Sequence, residues 1–183
     1  MERAAELFAE RGVAGTSLDE VLAAAGAGKG QLYHYFHGRG ELVEAAVAHR
    51  CTQVLAGLTQ ALGTVASMAE LEQALAGFVA GFEQMGLPGC PIGSLAAEVA
   101  ERNEGARLQA AAGFDAWEQL FADALERMRD RGELRADASA AVLATALLAS
   151  IEGGMVLSQT RKDPASLHIA VEAGLARLRT YLS

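Results

Sequence analysis

SLDEVLAAAGAGKGQLYHYF, residues 17–36, predicts two short helices joined by a glycine-containing turn. Ser17 stands where the first helix needs an N-cap, and Glu20 follows three residues later, which is the pattern of a capping box. Gly26 predicts the end of that helix, because glycine readily takes the left-handed conformation that closes helices. Two helices connected in this way form a helix-turn-helix, whose second helix can enter the major groove of DNA.

The second of these helices carries side chains suited to contact with DNA. Leu32 and Phe36 lie four residues apart and can anchor it to a small core. The residues left to face outward or edge-on are Lys29, Gln31, Tyr33, His34 and Tyr35. Glutamine can pair with adenine, lysine can reach guanine, and tyrosine hydroxyls suit phosphate oxygens. The alternative is that this face is the solvated side of a purely structural helical hairpin.

Many residues in and around this segment recur at the spacing of a known family. They are Ala5, Leu7, Phe8, Gly12, Thr16, Ser17, Leu18, Ala24, Ala25, Gly26, Lys29, Gly30, Leu32, Tyr33, Tyr35, Phe36, Glu41 and Leu42. With them, residues 4–42 resemble the N-terminal domain of the TetR family of bacterial transcriptional regulators. The resemblance implies an all-helical homodimer whose C-terminal domain binds a small ligand that loosens DNA binding. It also implies DNA contacts at Thr16, Ser17, Lys29, Gly30, Gln31, Tyr33, His34, Tyr35 and Arg39.

Three positions depart from the family pattern. Gly28 and Gly38 occupy places usually held by helix-capping serines, and Arg39 replaces a lysine. Glycine is an acceptable N-cap, and arginine keeps the positive charge for a phosphate contact. We therefore expect DNA binding to be retained.

The charge of the chain is unusual for a DNA-binding protein. The net charge is −8, and the first fifty residues hold five Lys or Arg against seven Asp or Glu. DNA-binding domains usually show a basic footprint, and family members commonly carry a basic arm ahead of the first helix. Either such an arm precedes this sequence in nature or the protein makes fewer phosphate contacts. The acids expected to face away from DNA are Glu2, Glu6, Glu10, Asp19 and Glu20.

Composition places the chain among helical proteins. Half of its 183 residues (51%) are hydrophobic, alanine and glycine are abundant, and there are three prolines. Cys51 and Cys90 form no metal or disulfide pattern, which suits a reducing cytoplasm. The uncharged stretch at residues 138–151 is too short to cross a membrane, and the first residues lack the pattern of a signal peptide. We therefore expect a cytoplasmic protein without a membrane partner.

The rest of the chain predicts a helical body. A long helix begins near Glu41 and runs to about Leu62, and residues 63–67 interrupt the pattern. Residues 87–91 hold the only proline cluster and predict a bend. The segment GCPIGSLAAE, residues 89–98, is similar to one in a TetR subgroup that includes antibiotic- and flavonoid-responsive repressors. We predict a DNA-binding domain at residues 1–45 and a larger ligand-binding and dimerisation domain at residues 46–183.

The last two helices are candidates for a dimer interface. After Asp137, the predicted N-cap, a helix follows that is apolar on nearly every side, with Gly153 and Gly154 as a possible kink. A helix that is apolar all round is buried all round, which suggests its own body on one face and a second copy on the other. Two adjacent helices of this kind would form a four-helix bundle in the dimer. The predicted interface residues are Leu143, Leu147, Ile151, Leu167, Val171, Leu175 and Leu178.

Large apolar side chains of the body form a candidate cavity for a small hydrophobic effector. Such cavities tend to lie between helices, although ordinary core packing explains each residue equally well. Glu152 is either a polar anchor for the ligand or a group at the solvent edge. Cys90 has no adjoining cation to lower its pKa, so a buried hydrophobe is favoured over a thiol sensor. The candidate ligand residues are Phe78, Phe82, Met85, Cys90, Phe114, Trp117, Phe121, Leu148, Glu152 and Met155.

The sequence lacks the motifs of an enzyme. No nucleophile elbow, phosphate-binding glycine loop or metal-spaced histidine pair is present, so we expect no catalytic residue, cofactor or metal. The interpretation is a TetR-like transcriptional regulator, a repressor that a hydrophobic effector releases from a palindromic DNA operator. The alternative is a helical carrier or enzyme that uses the same cavity, with the N-terminal hairpin as scaffold.

Overall fold

The computed structural model describes all residues from Met1 to Ser183, and its regular structure is helical. A single isolated antiparallel bridge joins Leu134 to Leu182. The predicted all-α class is therefore confirmed. The nine helices are α1 (Glu2–Arg11), α2 (Leu18–Ala25), α3 (Lys29–Tyr35), α4 (Arg39–Leu62), α5 (Met68–Gln84), α6 (Pro91–Val99), α7 (Glu104–Asp130), α8 (Ala140–Arg161) and α9 (Ala165–Arg179).

The chain forms two compact units. Unit 1 comprises residues 1–55 and 91–114, and unit 2 comprises residues 56–90 and 115–183. Helices α4 and α7 therefore contribute residues to both units. The functional division predicted between residues 45 and 46 is a different kind of boundary and stays a prediction.

Local sequence signals explain the helix-turn-helix in unit 1. The Ser17 side chain accepts a hydrogen bond from the Glu20 backbone N–H, and the Glu20 carboxylate accepts one from the Ser17 backbone N–H. This confirms the predicted capping box. Gly26 ends α2 with φ 62°, a left-handed conformation that a side chain disfavours. The buried apolar residues that hold α1, α2 and α3 are Ala4, Ala5, Phe8, Val21, Leu22 and Leu32.

Residues 91–114 are tied to the helix-turn-helix within unit 1. The Glu98 carboxylate on α6 accepts a hydrogen bond of 2.5 Å from the Ala14 backbone N–H. Asn103 donates from its side-chain amide to the Gly40 carbonyl at 3.0 Å. These two contacts link the α6–α7 corner to the loop after α1 and to the first turn of α4.

In unit 2, α8 and α9 pack closely because glycines stand where they meet. A methyl group at Gly154 would lie 2.8 Å from Cβ of Ala170, and one at Gly174 would lie 2.7 Å from Cδ1 of Leu147. Contacts this short require the neighbouring atoms to move. The two glycines therefore allow an approach that larger residues would prevent.

Two details of α8 differ from the sequence prediction. Its N-cap is Ser139, whose hydroxyl accepts a hydrogen bond from the Val142 backbone N–H. Asp137 instead pairs with Arg135, because the two side chains reach each other across one residue. The helix also continues through Gly153 and Gly154 to Arg161, since its other residues supply enough helical propensity to cross two glycines.

By length and composition alone, α8 could cross a membrane. Its most apolar 18-residue window has a mean hydropathy of 1.8, and 44% of that window is buried inside the protein. Core helices of soluble proteins have the same composition. The buried half of α8 is accounted for by packing within unit 2.

Candidate functional site

Helix α3 presents its aromatic side chains to solvent. Leu32 is buried and anchors the helix, whereas Tyr33 is 58% exposed and Tyr35 is 68% exposed. His34 lies edge-on to Tyr35, with 4.9 Å between the ring centroids. Gln31 is also exposed. The structure therefore leaves the predicted contact residues of α3 exposed, with His34 beside Tyr35.

Lys29, at the start of α3, is paired with an acid of the preceding helix. Its ammonium group lies 3.0 Å from the carboxylate of Asp19 on α2. The hydrogen bond that Lys29 donates to Asp19 raises the pKa of Lys29. The orientation of Asp19 away from DNA stays a prediction, and its carboxylate reaches the start of α3. The ion pair orients the Lys29 side chain at the N-terminus of α3, and the negative charge of Asp19 offsets part of the positive charge of Lys29.

Thr16 and Ser17 have structural roles in this domain. The Thr16 side chain is 1% exposed, and its hydroxyl lies 2.8 Å from the carbonyl of Gly12, to which it donates. A DNA contact by the Thr16 side chain is inconsistent with this burial, because the only donor of the hydroxyl is already used. Ser17 is exposed, although its hydroxyl donates to Glu20 at 2.7 Å within the capping box.

The Arg39 side chain forms its hydrogen bonds within the helix-turn-helix domain. Its guanidinium donates to the carbonyl of Thr16 at 2.6 Å and to the carbonyl of Val13. The same group lies over the ring of Phe8, 6.0 Å from the centroid. The DNA contact implied for Arg39 stays a prediction, while the structure gives the side chain a second role. Through these hydrogen bonds, Arg39 connects the start of α4 to the loop between α1 and α2.

Arg39→Ala should lower the free energy of unfolding by about 1–3 kcal/mol, because two carbonyl groups lose a charged donor. Urea denaturation followed by circular dichroism measures this change. Arg102→Ala is the matched control, since the Arg102 side chain is exposed and, unlike that of Arg39, donates to no carbonyl group of the domain. Unchanged stability together with weaker DNA binding would contradict the structural role and leave only a phosphate contact.

The predicted ligand residues are divided between the units. Phe114 belongs to unit 1 and is half-buried, whereas the other nine belong to unit 2. Met85 is 69% exposed at the end of α5, so its place in an enclosed pocket was wrong. The end of a helix leaves its last side chain in solvent, and apolar character alone does not reveal this. The buried members in unit 2 are Phe82, Cys90, Trp117, Phe121, Leu148 and Met155.

Two polar atoms of unit 2 are buried without a hydrogen-bond partner. They are the indole Nε1 of Trp117 and the carboxylate Oε1 of Glu152. Phe78 packs edge-to-face on Trp117, with ring centroids 6.0 Å apart. Glu152 forms a hydrogen bond with Cys90, and burial raises the pKa of its carboxyl group. Buried polar atoms are nearly always satisfied in proteins, so such exceptions mark candidate ligand contacts.

All seven residues predicted at the dimer interface are buried within one protomer. Their side chains pack inside the chain, as Gly174 against Leu147 illustrates. The interface assignment itself stays a prediction. The residues that α8 and α9 instead leave exposed include Val142, Val156, Leu157 and Ile169.

Sequence comparison agrees with this geometry. Residues 1–46 match the family described as bacterial regulatory proteins, tetR family. Residues 67–173, more than half of the chain, match the family described as transcriptional regulator LmrA/YxaF-like, C-terminal domain. The chain belongs to the TetR family. The predicted function of a transcriptional regulator is thereby confirmed, and members of this family bind DNA operators and dimerise.

Relatives of this TetR-family regulator match along nearly its whole length. The HTH-type transcriptional regulator YxaF of Bacillus subtilis is 31% identical, covering 94% of this chain and 89% of the relative. LmrA of the same organism is 30% identical, covering 93% and 90%. A regulatory protein TetR from Rhodobacter sphaeroides has a similar structure, with a TM-score of 0.79, 26% identity and coverage of 96% and 94%.

The sequence interpretation missed two residues that tie α6 and α7 to the DNA-binding domain of this regulator. Glu98 and Asn103 both line a cavity of about 290 Å³ in unit 1, together with Arg39, Gly40 and residues 13–14. Glu98 is the last residue of the segment GCPIGSLAAE. The similarity of this segment to the repressor subgroup was the only sequence feature that pointed to Glu98. Its contact with Ala14 spans 84 residues, and helical periodicity carries no information about such a pairing.

Proposed function

We propose that this TetR-family regulator is a repressor that binds a palindromic operator as a dimer and is released by a hydrophobic effector. The observation that carries the proposal is the exposed α3 surface on a helix-turn-helix in which a capping box begins α2 and buried Leu32 anchors α3. A relative that is 24% identical, DhaR of a Mycobacterium species, is named as a transcriptional repressor. We propose a cytoplasmic location, as expected for a protein that reads DNA, and no catalytic activity.

DNA recognition in this proposal depends on side chains of α3. Gln31 reads a base edge in the major groove, and the hydroxyls of Tyr33 and Tyr35 bind phosphate oxygens. Lys29 adds a positive charge that its pairing with Asp19 positions at the start of the helix. Dimerisation places two such helices roughly 34–36 Å apart, which matches one turn of DNA and requires a palindromic site.

The effector in this proposal binds in unit 2, where the unpartnered atoms of Trp117 and Glu152 lie among buried apolar residues. Helices α4 and α7 each contribute residues to both units. When effector binding displaces the part of either helix in unit 2, the part in unit 1, the unit that contains α3, is displaced as well. A coupling free energy of ~1–3 kcal/mol between the two sites changes operator occupancy about 5–150-fold. Such a coupling is sufficient for induction.

Selection of bound sequences from a random DNA duplex pool tests the DNA half of the proposal. The expected result is enrichment of a palindrome, since a twofold dimer presents the same surface to both half-sites. Affinity for the enriched duplex should fall steeply with salt concentration, because phosphate contacts release counterions. Fluorescence anisotropy at several salt concentrations measures this dependence. Absence of any enriched sequence at low salt would refute the regulator mechanism and favour a helical carrier.

A further inference from the structure

Glu152 is an acid on the inward side of an otherwise apolar helix face. Leu148 lies one turn before it on α8 and Met155 one turn after it, and both are buried. Residues spaced in this way share one face of a helix. The carboxylate of Glu152 therefore emerges among apolar side chains of unit 2.

The carboxyl group of Glu152 is only partly satisfied by the protein. It has a hydrogen bond with Cys90, while its Oε1 atom is buried and has no partner. A buried carboxylate without a positive partner is costly, and an opposite charge offsets much of that cost.

Most cations of unit 2 have partners of their own, and none of them forms an ion pair with Glu152. Arg127 donates to the carbonyls of Leu62 and Val65. Arg179 pairs with two other acids, Glu72 and Glu172. The further ion pairs of this unit join Arg129 to Glu126, Arg135 to Asp137 and His168 to Glu83. No ion pair thus neutralises the charge of Glu152 when it is ionised.

We propose that the effector is an apolar molecule that carries a protonated amine, and that Glu152 binds this amine. This inference depends on the effector site proposed above. The ammonium group donates to Oε1 of Glu152 and supplies the missing positive charge, and the apolar body packs against Leu148 and Met155. A neutral hydroxyl could donate to the same oxygen but would leave the charge uncompensated, and charge-assisted hydrogen bonds are roughly twice as strong as neutral ones.

Three naphthalene probes of similar size test this charge preference by isothermal titration calorimetry on the full-length protein at about pH 8. They are 1-naphthylmethylamine, 1-naphthylmethanol and 1-naphthoate. The amine should bind at least about tenfold more tightly than the alcohol, which corresponds to about 1.4 kcal/mol. The carboxylate should bind most weakly, because it brings a second negative charge to Glu152.

Glu152→Gln should abolish the preference, lowering the affinity for the amine by about tenfold and leaving that for the alcohol within about twofold. Glu152→Met, which removes the carboxyl but keeps an apolar shape, should have the same effect and guards against a folding defect of the first variant. Glu126→Gln is the matched control, because it removes one negative charge of a half-buried acid that pairs with Arg129. It should retain the preference for the amine.

Equal affinity for the amine and the alcohol, or an unchanged amine affinity in both Glu152 variants, would overturn the inference. Failure of all three probes to bind at millimolar concentration would overturn it together with the effector site. Operator binding by the same preparations, measured by anisotropy, is independent of these outcomes. Intact operator binding with no amine preference therefore refutes the role of Glu152 alone, whereas loss of operator binding in the wild-type protein refutes the proposed regulator.

Discussion

Replacing both Tyr33 and Tyr35 with alanine should lower operator affinity by about 100-fold or more, with little change in stability. Both side chains are largely exposed, so their removal creates no cavity and breaks no core contact. A hydrogen bond to a charged group such as a phosphate is worth roughly 1.5–3 kcal/mol, and the loss of two of them corresponds to this change in affinity. Fluorescence anisotropy with the selected duplex measures the effect.

The control for the tyrosine variant is Met85→Ala. Met85 is as exposed as Tyr35 but lies at the end of α5 in unit 2. Its removal should leave operator affinity unchanged, and both variants should keep the oligomeric state of the wild-type protein. If the double tyrosine variant binds the operator with wild-type affinity, α3 is not the reading helix and the proposed interface is incorrect.

Features fixed by neighbouring residues could be predicted from the sequence. Ser17 and Glu20 define the capping box three residues apart, and Gly26 ends α2 with the conformation that glycine favours. The long helix α4 was also predicted, because its apolar residues recur three or four positions apart over many turns. In these cases the chain segment itself contains the physical reason for the structure.

Features that depend on distant partners could not be predicted in this way. Asp19 meets Lys29 from the preceding helix, and Arg39 reaches back to the carbonyls of Val13 and Thr16. A positive charge near a recognition helix is expected at a phosphate, and only the three-dimensional structure reveals that the guanidinium is used within the domain. Arg39 therefore illustrates how a residue expected at a phosphate can have a second role inside the domain.

Helix α8 shows a further limit of sequence patterns. Helix α8 is apolar on nearly every face, so its sequence predicts that every face is buried. The sequence does not indicate which face packs inside the protomer and which face meets a second copy. The leucines that best fitted an interface, such as Leu143 and Leu147, are buried inside the protomer. Large apolar residues fill the core of the chain, and the surface of α8 that faces outward carries mostly small ones.

This outward surface has the regular spacing of a helix-packing seam. Along α8, successive residues of this surface are separated by four and three positions in turn. This spacing places their side chains along one line of the helix. They are Val142, Ala146, Ala149, Gly153, Val156 and Thr160, all exposed and uncharged. On α9, Ile169 is 71% exposed, and Ala173 and Ala176 follow it on the exposed side. We propose that a second copy of the chain covers this α8–α9 surface, since dimerisation is a property of the family.

Val142→Glu combined with Val156→Glu should convert the dimer into a monomer. Each protomer would bring two carboxylates into a surface of α8 that is uncharged, where desolvation on dimerisation costs several kcal/mol per ion. We expect the dissociation constant of the dimer to rise at least about 1,000-fold, which corresponds to about 4 kcal/mol. Sedimentation equilibrium measures the change directly.

The same double variant should lose most of its operator affinity, although α3 is unaltered, because a monomer engages only one half-site at a time. Met85→Glu is the matched control, since it adds a charge at an exposed apolar residue outside the α8–α9 surface. A dimer that persists in the double variant would place the interface elsewhere on the chain. A monomer that still binds the palindrome with wild-type affinity would separate operator recognition from dimerisation, and the argument from twofold symmetry would then be wrong.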